Sequence, residues 1–171
     1  MTYQVLFVCT GNSARSILAE ALLNHCGDSR FAAHSAGSQP AGLVQPLALE
    51  TLTALGVSST GLRSKSWQEF AMPGAPKLDF VFTVCDSAAG EVCPVWPGQP
   101  MTAHWGIADP SHLVGSIDQK RQAFLETALI LKRRIDLMRA IPIQSLDALS
   151  LQAAVRDVGT PKSAGTKLMS V

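Results

Sequence analysis

No apolar run in this chain approaches the roughly 20 residues that a membrane-spanning helix needs. Charge is also scarce: Asp, Glu, Lys and Arg make up 16% of the 171 residues and leave a formal net charge of +1. A chain so close to neutrality has no general attraction to nucleic acid or membrane surfaces. The start, Met1–Gln4, lacks the positive charge of a signal peptide. We therefore expect a cytoplasmic protein with no nucleic-acid or membrane partner.

Cysteine is sparse as well, with Cys9, Cys26, Cys85 and Cys93 in the whole chain. In a reducing compartment these thiols are not expected to form static cross-links, which favours nucleophilic, redox or metal-binding roles. A zinc site is disfavoured because no Cys-x-x-Cys pair occurs and the histidines are unsuitably spaced. We therefore expect no bound metal or cofactor. Cys26 is interpreted as a core residue on the apolar face of a helix.

The apolar content of 47% and the length suit one globular domain. Apolar and β-branched runs predict strands over residues 3–9, 31–36, 78–84 and 101–105. Helical spacing predicts helices over residues 16–26, 46–55, 117–139 and 145–157, with short turns at 67–71 and 87–92. This alternation predicts an α/β fold: a four-stranded parallel sheet with helices on both faces. We assign residues 1–158 to a single catalytic domain and 159–171 to a flexible tail.

The most informative stretch is the one where an apolar run ends in Cys9 and Arg15 follows at the start of a helical pattern. The loop between them can wrap a small tetrahedral oxyanion with backbone N–H groups, and Arg15 adds a forked positive charge. The same field, with a hydrogen bond from Ser13 or Ser16, is expected to lower the pKa of Cys9 and make its thiolate a nucleophile. The predicted oxyanion-binding residues are Thr10, Gly11, Asn12, Ser13, Ala14, Arg15 and Ser16.

Three further residues come after strands, where parallel sheets bind their ligands. Asp109, stiffened by Pro110, is suited to act as a general acid that protonates a departing oxygen. Cys85 and Cys93 can form a redox relay, in which a second thiol attacks Cys9 and a third resolves the product. A structural disulfide or half of a zinc site are the alternatives for this pair.

Two sets of charged residues receive a structural interpretation. The one compact basic run, Lys132-Arg133-Arg134, falls within a helical pattern and is interpreted as a solvated face. His34, His104 and His112 have no clear partner in the sequence and are interpreted as structural.

Four stretches together resemble a known group of enzymes. Residues 9–16 read CTGNSARS, 35–37 read SAG, Cys85 and Cys93 stand within 84–94, and 104–110 read HWGIADP. These resemble bacterial arsenate reductases of the low-molecular-weight tyrosine phosphatase fold, which is flavodoxin-like. The resemblance implies arsenic detoxification, in which Cys9 attacks arsenate and Asp109 protonates the leaving oxygen. It also implies that Cys85 attacks Cys9 as arsenite leaves, that Cys93 then takes over Cys85, and that thioredoxin reduces the final disulfide.

Two departures from that group matter. The interval between the two later cysteines is one residue longer than in thioredoxin-linked members, so glutaredoxin with glutathione stays open as the reductant. Some relatives also bind potassium beside the loop through groups that match Asn12, Glu20 and Ser35, with an aspartate where this chain has Lys65. We predict that the Lys65 ammonium replaces the metal ion and contacts Asn12 or Glu20. These four residues form the predicted support of the loop.

Two other functions fit parts of the pattern. A phosphatase acting on phosphotyrosine needs Cys9, Arg15 and Asp109 but neither later cysteine. The Ser111-His112 pair lacks the aromatic residue that usually stacks on the substrate ring in such phosphatases. A non-enzymatic thiol or oxyanion sensor would need no general acid. Phosphate or sulfate is expected to mimic arsenate, and a monomer is expected.

Overall fold

The structure, a computed structural model, describes residues 1–90 and 94–161. Within these residues four parallel strands form one sheet, in the order second, first, third, fourth. In chain order they are β1 (Tyr3–Cys9), β2 (Phe31–Gly37), β3 (Phe80–Thr83) and β4 (Met101–His104). The strand β1 is therefore central, and the register places its last residue, Cys9, beside Gly37 of β2.

The helices of the described residues begin and end close to the predicted positions. They are α1 (Arg15–His25), α2 (Pro46–Ala54), α3 (Asp86–Gly90), α4 (Ile117–Arg139) and α5 (Ala148–Gly159). Short 3-10 helices span Trp67–Phe70, Pro110–His112 and Ile143–Ser145. The longest helix, α4, begins at a capping box: Gln119 N–H donates to Ser116 Oγ at 3.2 Å, and Ser116 N–H donates to Gln119 Oε1 at 2.8 Å.

Helical elements cover both faces of the sheet. Side chains alternate along a strand, so Ser35 and His34 of β2 point to opposite faces. Ser35 donates a hydrogen bond to Glu20 of α1, whereas His34 packs on Phe70 of the first 3-10 helix with ring centroids 5.4 Å apart. On its outer side α1 packs on α4. The predicted α/β fold with a four-stranded parallel sheet is confirmed.

Two elements begin later than predicted, and in each case an aspartate just before the element accepts a backbone N–H through its side chain. The Asp147 carboxylate accepts an N–H of the first helical turn, so α5 begins at Ala148, three residues later than expected. The Asp79 carboxylate accepts the Gln4 N–H at 2.7 Å, and β3 begins at Phe80, two residues later than expected.

Two further predictions, a helical turn over 87–92 and a tail from residue 159, extend beyond the described residues, which end at positions 90 and 161. The helical turn expected over 87–92 is α3, which begins at Asp86, and residues 91–92 lie outside the described residues. The predicted tail is described only as far as residue 161, and α5 reaches Gly159. Across the described part of the chain, no helix is long and apolar enough to cross a membrane.

Candidate active site

The candidate site is the loop that joins β1 to α1, at the carboxyl end of the sheet. Asn12 in this loop has φ of 44°, in the left-handed region that asparagine tolerates better than most residues. Gly37 lies beside it on β2, and a Cβ built there would be 2.4 Å from the Thr10 carbonyl oxygen. The loop therefore requires a glycine one strand away, and nothing within residues 9–16 indicates this requirement.

The carbonyl groups of the loop point away from its interior. Three backbone N–H groups, at positions 39, 41 and 45, donate in that order to the carbonyl oxygens of Thr10, Gly11 and Ser13, at 2.8 to 3.0 Å. A trans peptide carries its N–H opposite to its C=O, so the following N–H groups are directed inward. The Asn12 N–H is one of them, and it donates to Cys9 Sγ at 3.2 Å. The loop thus presents the inward donors that an oxyanion site needs.

Cys9 is held by two neighbours and is only 3% exposed. Its Sγ lies 2.9 Å from Ser16 Oγ, and that oxygen accepts a hydrogen bond from Asn12 Nδ2 at 2.9 Å. Because Ser16 Oγ already accepts, its own proton is free to point at the sulfur. The serine that contacts Cys9 is therefore Ser16.

The pKa of Cys9 departs from the expected direction. Burial raises the pKa of the thiol, and the hydrogen bonds from Ser16 and Asn12 offset only part of that effect. The prediction of a lowered pKa is wrong for this conformation, because the sulfur is removed from water and the nearby Cys85 also acts to raise the pKa. Burial thus favours the neutral form of the Cys9 thiol.

Arg15 joins the loop to a segment far away in the sequence. Its Nη1 donates to the Ile107 carbonyl at 3.0 Å, and its Nη2 donates to Asp109 Oδ2 at 3.1 Å. Both side chains of the ion pair are largely buried, with 14% and 19% exposure. The predicted general acid is therefore brought to the predicted anion-binding arginine, whereas the carbonyl contact has no signal in the sequence.

The environment of Asp109 favours its ionised form. Burial acts to raise the pKa of this carboxyl, but hydrogen bonds from Ser111 and the charge of Arg15 outweigh it, so the pKa is lowered. Ser111 donates through both Oγ, at 2.6 Å, and N–H, at 2.9 Å. His112 Nε2 also lies 3.6 Å from the carboxylate. Asp109 must consequently receive a proton before it can donate one.

Cys85 lies at the same edge of the sheet, where β3 ends next to β1. Its Sγ is 3.6 Å from Thr10 Oγ1 and accepts the Ala88 N–H of α3 at 3.4 Å. The side chain is buried, and Cys85, Cys9 and Cys26 are free thiols. The predicted second thiol therefore contacts the residue that directly follows the predicted nucleophile. Cys93, the predicted third thiol, lies outside the described residues.

Behind the loop, the four predicted support residues form connected contacts. The Asn12 Oδ1 accepts the backbone N–H of Lys65 at 2.9 Å, and Glu20 accepts the Ser35 hydroxyl proton. The Lys65 Nζ lies 3.7 Å from Glu20 Oε2 and donates to the Arg63 carbonyl at 3.2 Å. The ammonium thus contacts Glu20, while Asn12 is reached by the backbone of Lys65.

Burial dominates the electrostatics of this support. It raises the pKa of Glu20 and lowers that of Lys65, although each charge favours the other. Burial thus disfavours the charged forms of Glu20 and Lys65, whereas the attraction between the two charges favours them. Elsewhere among residues 1–90 and 94–161, no group of three or more His, Cys, Asp or Glu side chains is placed to hold a metal ion.

One residue of the basic run contacts the loop that follows β4 and carries Asp109, and is not fully exposed to solvent. Arg134 is half-buried, and its Nη1 donates to the carbonyl oxygens of Trp105 and Gly106 at 2.7 and 3.1 Å. The interpretation of this run as a solvated face is therefore wrong for Arg134, because α4 packs directly under the loop that carries Asp109. A charge run alone does not reveal which of its members faces inward.

The loop from β1 to α1, the arginine at the start of α1 and the distant Asp-Pro segment define a class of protein. The chain belongs to the low molecular weight phosphotyrosine protein phosphatase family, whose sequence model matches residues 4–146. Within that family, its curated relatives include the arsenate reductase of Shouchella clausii. It is 32% identical over 120 residues, which is 70% of this chain and 83% of the relative.

Solved structures give the same grouping. An arsenate reductase in the phosphate-binding state superposes with a TM-score of 0.64 at 26% identity, covering 79% of this chain and 95% of that one. A thioredoxin-dependent arsenate reductase of Corynebacterium glutamicum superposes with a TM-score of 0.55 at 31% identity, covering 80% of this chain and 63% of that one.

Proposed function

We propose that this protein is an arsenate reductase that works by a relay of cysteine thiols. The observation that carries the proposal is the position of Cys85. Its sulfur lies 3.6 Å from the hydroxyl of Thr10 in the anion loop, the name we give to residues 10–14 between β1 and α1. Hydrolysis of a phosphate ester needs no second thiol at this place. A two-electron reduction of an oxyanion does, because each thiol that enters a disulfide supplies one electron.

In the first step Cys9 bonds to arsenic and one arsenate oxygen leaves as water. The loop N–H groups and Arg15 hold the oxyanion. The Cys9 thiol gives up one proton when its sulfur bonds to arsenic, and one proton is what the leaving hydroxide requires. Passed to Asp109 and then to the oxygen, that proton leaves with water. The product is a Cys9–S–As(V) adduct.

In the second step Cys85 attacks Cys9 Sγ. A sulfur–sulfur bond forms, the sulfur–arsenic bond breaks, and its electron pair stays on arsenic, which leaves as arsenite. Cys93 then attacks Cys85, the Cys9 thiolate is released, and a Cys85–Cys93 disulfide results. Two electrons from an external dithiol regenerate the enzyme.

Thioredoxin is the reductant we favour, since a similar solved structure is named for it, and glutaredoxin with glutathione is the alternative. No tightly bound cofactor is needed in either case. A reducing compartment such as the cytoplasm keeps the thiols ready. We also propose a monomer, with residues 1–158 as the catalytic domain and phosphate or sulfate as mimics of the substrate.

The test is arsenate-dependent NADPH consumption with thioredoxin and its reductase, or with glutaredoxin, glutathione and glutathione reductase. We expect turnover with one of the two systems. Cys85→Ser should fall below about one hundredth of the unmodified rate, since the adduct then has no partner thiol. Cys26→Ser, which changes a thiol outside the relay, is the matched control and should stay within about twofold. Turnover that survives Cys85→Ser would refute the relay.

A phosphatase is the second candidate, because Cys9, Arg15 and Asp109 suffice for phosphate-ester hydrolysis and the family is named for that activity. Hydrolysis of p-nitrophenyl phosphate at a rate independent of Cys85, without any arsenate reduction, would favour it. Binding of oxyanion with neither activity would instead favour a sensor.

A further inference from the structure

Beside the second thiol, His104 bridges two residues that flank Cys85. Its Nδ1 lies 2.8 Å from Thr83 Oγ1, and its Nε2 lies 2.8 Å from Asp86 Oδ1. Thr83 is the last residue of β3 and pairs with His104 of β4, while Asp86 is the first residue of α3. We name these three residues, Thr83, His104 and Asp86, the clasp. One imidazole therefore fastens the chain on both sides of Cys85.

The clasp also packs against the loop that carries the predicted acid. A Cβ built on Gly106 would lie 2.5 Å from His104 Nε2 and 2.8 Å from Asp86 Oδ1. The next residue, Ile107, accepts a hydrogen bond from Arg15 through its carbonyl. The Cys85 segment and the Arg15–Asp109 segment therefore meet at Gly106 and at the adjacent backbone bond from the Ile107 N–H to the Val84 carbonyl, at 3.1 Å.

Stability does not explain this arrangement. The side chain of Asp86 is 96% exposed and that of His104 is 41% exposed. Exposed ion pairs contribute on the order of 0–1 kcal/mol to folding. Bonding both ring nitrogens fixes the orientation of the imidazole, however, and adds a tie between the residues on either side of Cys85 to the backbone bonds that Val84 already makes.

We propose that His104, held by Thr83 and Asp86, is a positioning residue for the second thiol step. It keeps the Cys85 sulfur next to Thr10, within reach of Cys9 when the anion loop has reacted. This inference rests on the proposed function, in which Cys85 attacks Cys9. Misplacement of a reacting atom by about 1 Å can cost up to about a hundredfold in rate, so a contact that adds little stability can still control the step.

The test follows formation of the Cys9–Cys85 disulfide directly, without arsenate. In a Cys93→Ser background the azo oxidant diamide takes two electrons and two protons from the thiol pair and leaves a disulfide. Samples are quenched by alkylation at intervals and mapped by peptide mass spectrometry. The iodoacetamide alkylation rate of Cys9 and the Tm are measured on the same variants.

We expect His104→Ala to slow disulfide formation about tenfold and Thr83→Val to slow it about threefold. Thr83→Ser keeps the hydroxyl and should restore the rate to within about twofold. His25→Ala changes an exposed histidine at the end of α1 and should have no effect. The alkylation rate of Cys9 should stay within about twofold in all four, because the hydrogen bonds to its sulfur come from Ser16 and Asn12, which do not belong to the clasp.

Three outcomes separate the clasp from the function on which it rests. An unchanged disulfide rate in His104→Ala would overturn the clasp and leave the relay standing. An equal loss of Cys9 reactivity and Tm would also overturn it, since the histidine would then be a general structural residue. Failure of the unmodified pair to form any Cys9–Cys85 disulfide would instead refute the proposed relay.

Discussion

Cys9 and Cys85 end neighbouring strands of one sheet, but different kinds of contact hold them. Cys9 sits in a loop whose bonds come from residues near it in sequence, Asn12 and Ser16, and it is buried. Cys85 is buried as well, but the side chains of Thr83 and Asp86 on either side of it are bonded to His104 of the neighbouring strand, through contacts that are largely exposed. The first thiol is thus preorganised, whereas the second is held by bonds that can open. A relay requires that difference, because its second thiol must change partners.

The largest effect we predict falls on the Cys9 side. Asp109→Asn cannot relay the thiol proton, so the first step should slow by about 10²–10³-fold. Single-turnover formation of the Cys9 adduct, measured by rapid quench, checks this. In the same variant, diamide should still join Cys9 and Cys85 at close to the unmodified rate. A comparable loss in both measurements would contradict the division between the two thiols.

The pH dependence of Cys9 sharpens the comparison next. Burial raises the pKa of this thiol, so its thiolate fraction is small at neutral pH and grows with pH. The alkylation rate of Cys9 should rise about tenfold per pH unit, with no plateau below the ordinary thiol pKa of about 8.5. Ser16→Ala removes a donor and should lower the rate further. A plateau near pH 6 would contradict the neutral thiol.

Because the folded-state pKa of Cys9 lies above the unfolded one, its contribution to stability has a definite sign. The neutral thiol favours folding below the unfolded pKa, and that contribution is lost as pH rises through the folded pKa. Asp109 behaves in the opposite way: its pKa is lowered, so its contribution is present above the unfolded value and is lost as pH falls through the folded one. Urea unfolding of Cys9→Ala and Asp109→Asn, each compared with the unmodified protein at several pH values, measures both contributions.

Gly37→Ala probes the close contact under the loop. The new Cβ would meet the Thr10 carbonyl at 2.4 Å, and the backbone must shift to relieve it. We expect the free energy of unfolding to fall by about 2–3 kcal/mol, together with slower Cys9 chemistry. Gly90→Ala is the matched control, because nothing lies within 4 Å of its Cβ position. Equal behaviour of the two variants in urea unfolding would argue against a tight loop.

The smallest predicted effect concerns Lys65. Lys65→Met leaves the largely buried Glu20 without its cation and should cost about 1–2 kcal/mol of unfolding free energy. If the ammonium occupies the place of a monovalent cation, potassium should raise the Tm of Lys65→Met more than it raises that of the unmodified protein. An equal potassium effect on both would contradict that role. Lys132→Met, which removes an exposed lysine paired with Asp136, is the control.

The sequence predicted most of what depends on local pattern. The run from Cys9 to Arg15 and the strand–helix alternation led to the fold and to the anion loop, because hydrophobic periodicity and loop composition are local signals. It also named Asp109, whose contact with Arg15 joins residues distant in the chain. The surroundings of that contact were not predictable: the Ile107 carbonyl accepts from Arg15, Ser111 donates to Asp109, and Arg134 donates to the carbonyls of Trp105 and Gly106.

One error and one missed contact have the same physical origin. The pKa of Cys9 was predicted from the charges around it, but burial, which depends on how the whole loop packs, has the larger effect. The partners of His104, Thr83 and Asp86, were missed because they are far from it in sequence and meet it only in the folded chain. Charge can be read from a sequence, whereas desolvation and cross-strand contacts follow only from the folded chain.

The most direct test of the relay is a single turnover of the Cys93→Ser variant with arsenate and no external reductant. Arsenite is quantified in the same quenched samples as the Cys9–Cys85 disulfide. The account predicts one arsenite per disulfide, formed at the same rate, and neither product in Cys85→Ser. Arsenite without the disulfide, or arsenite formed equally well in Cys85→Ser, would contradict it.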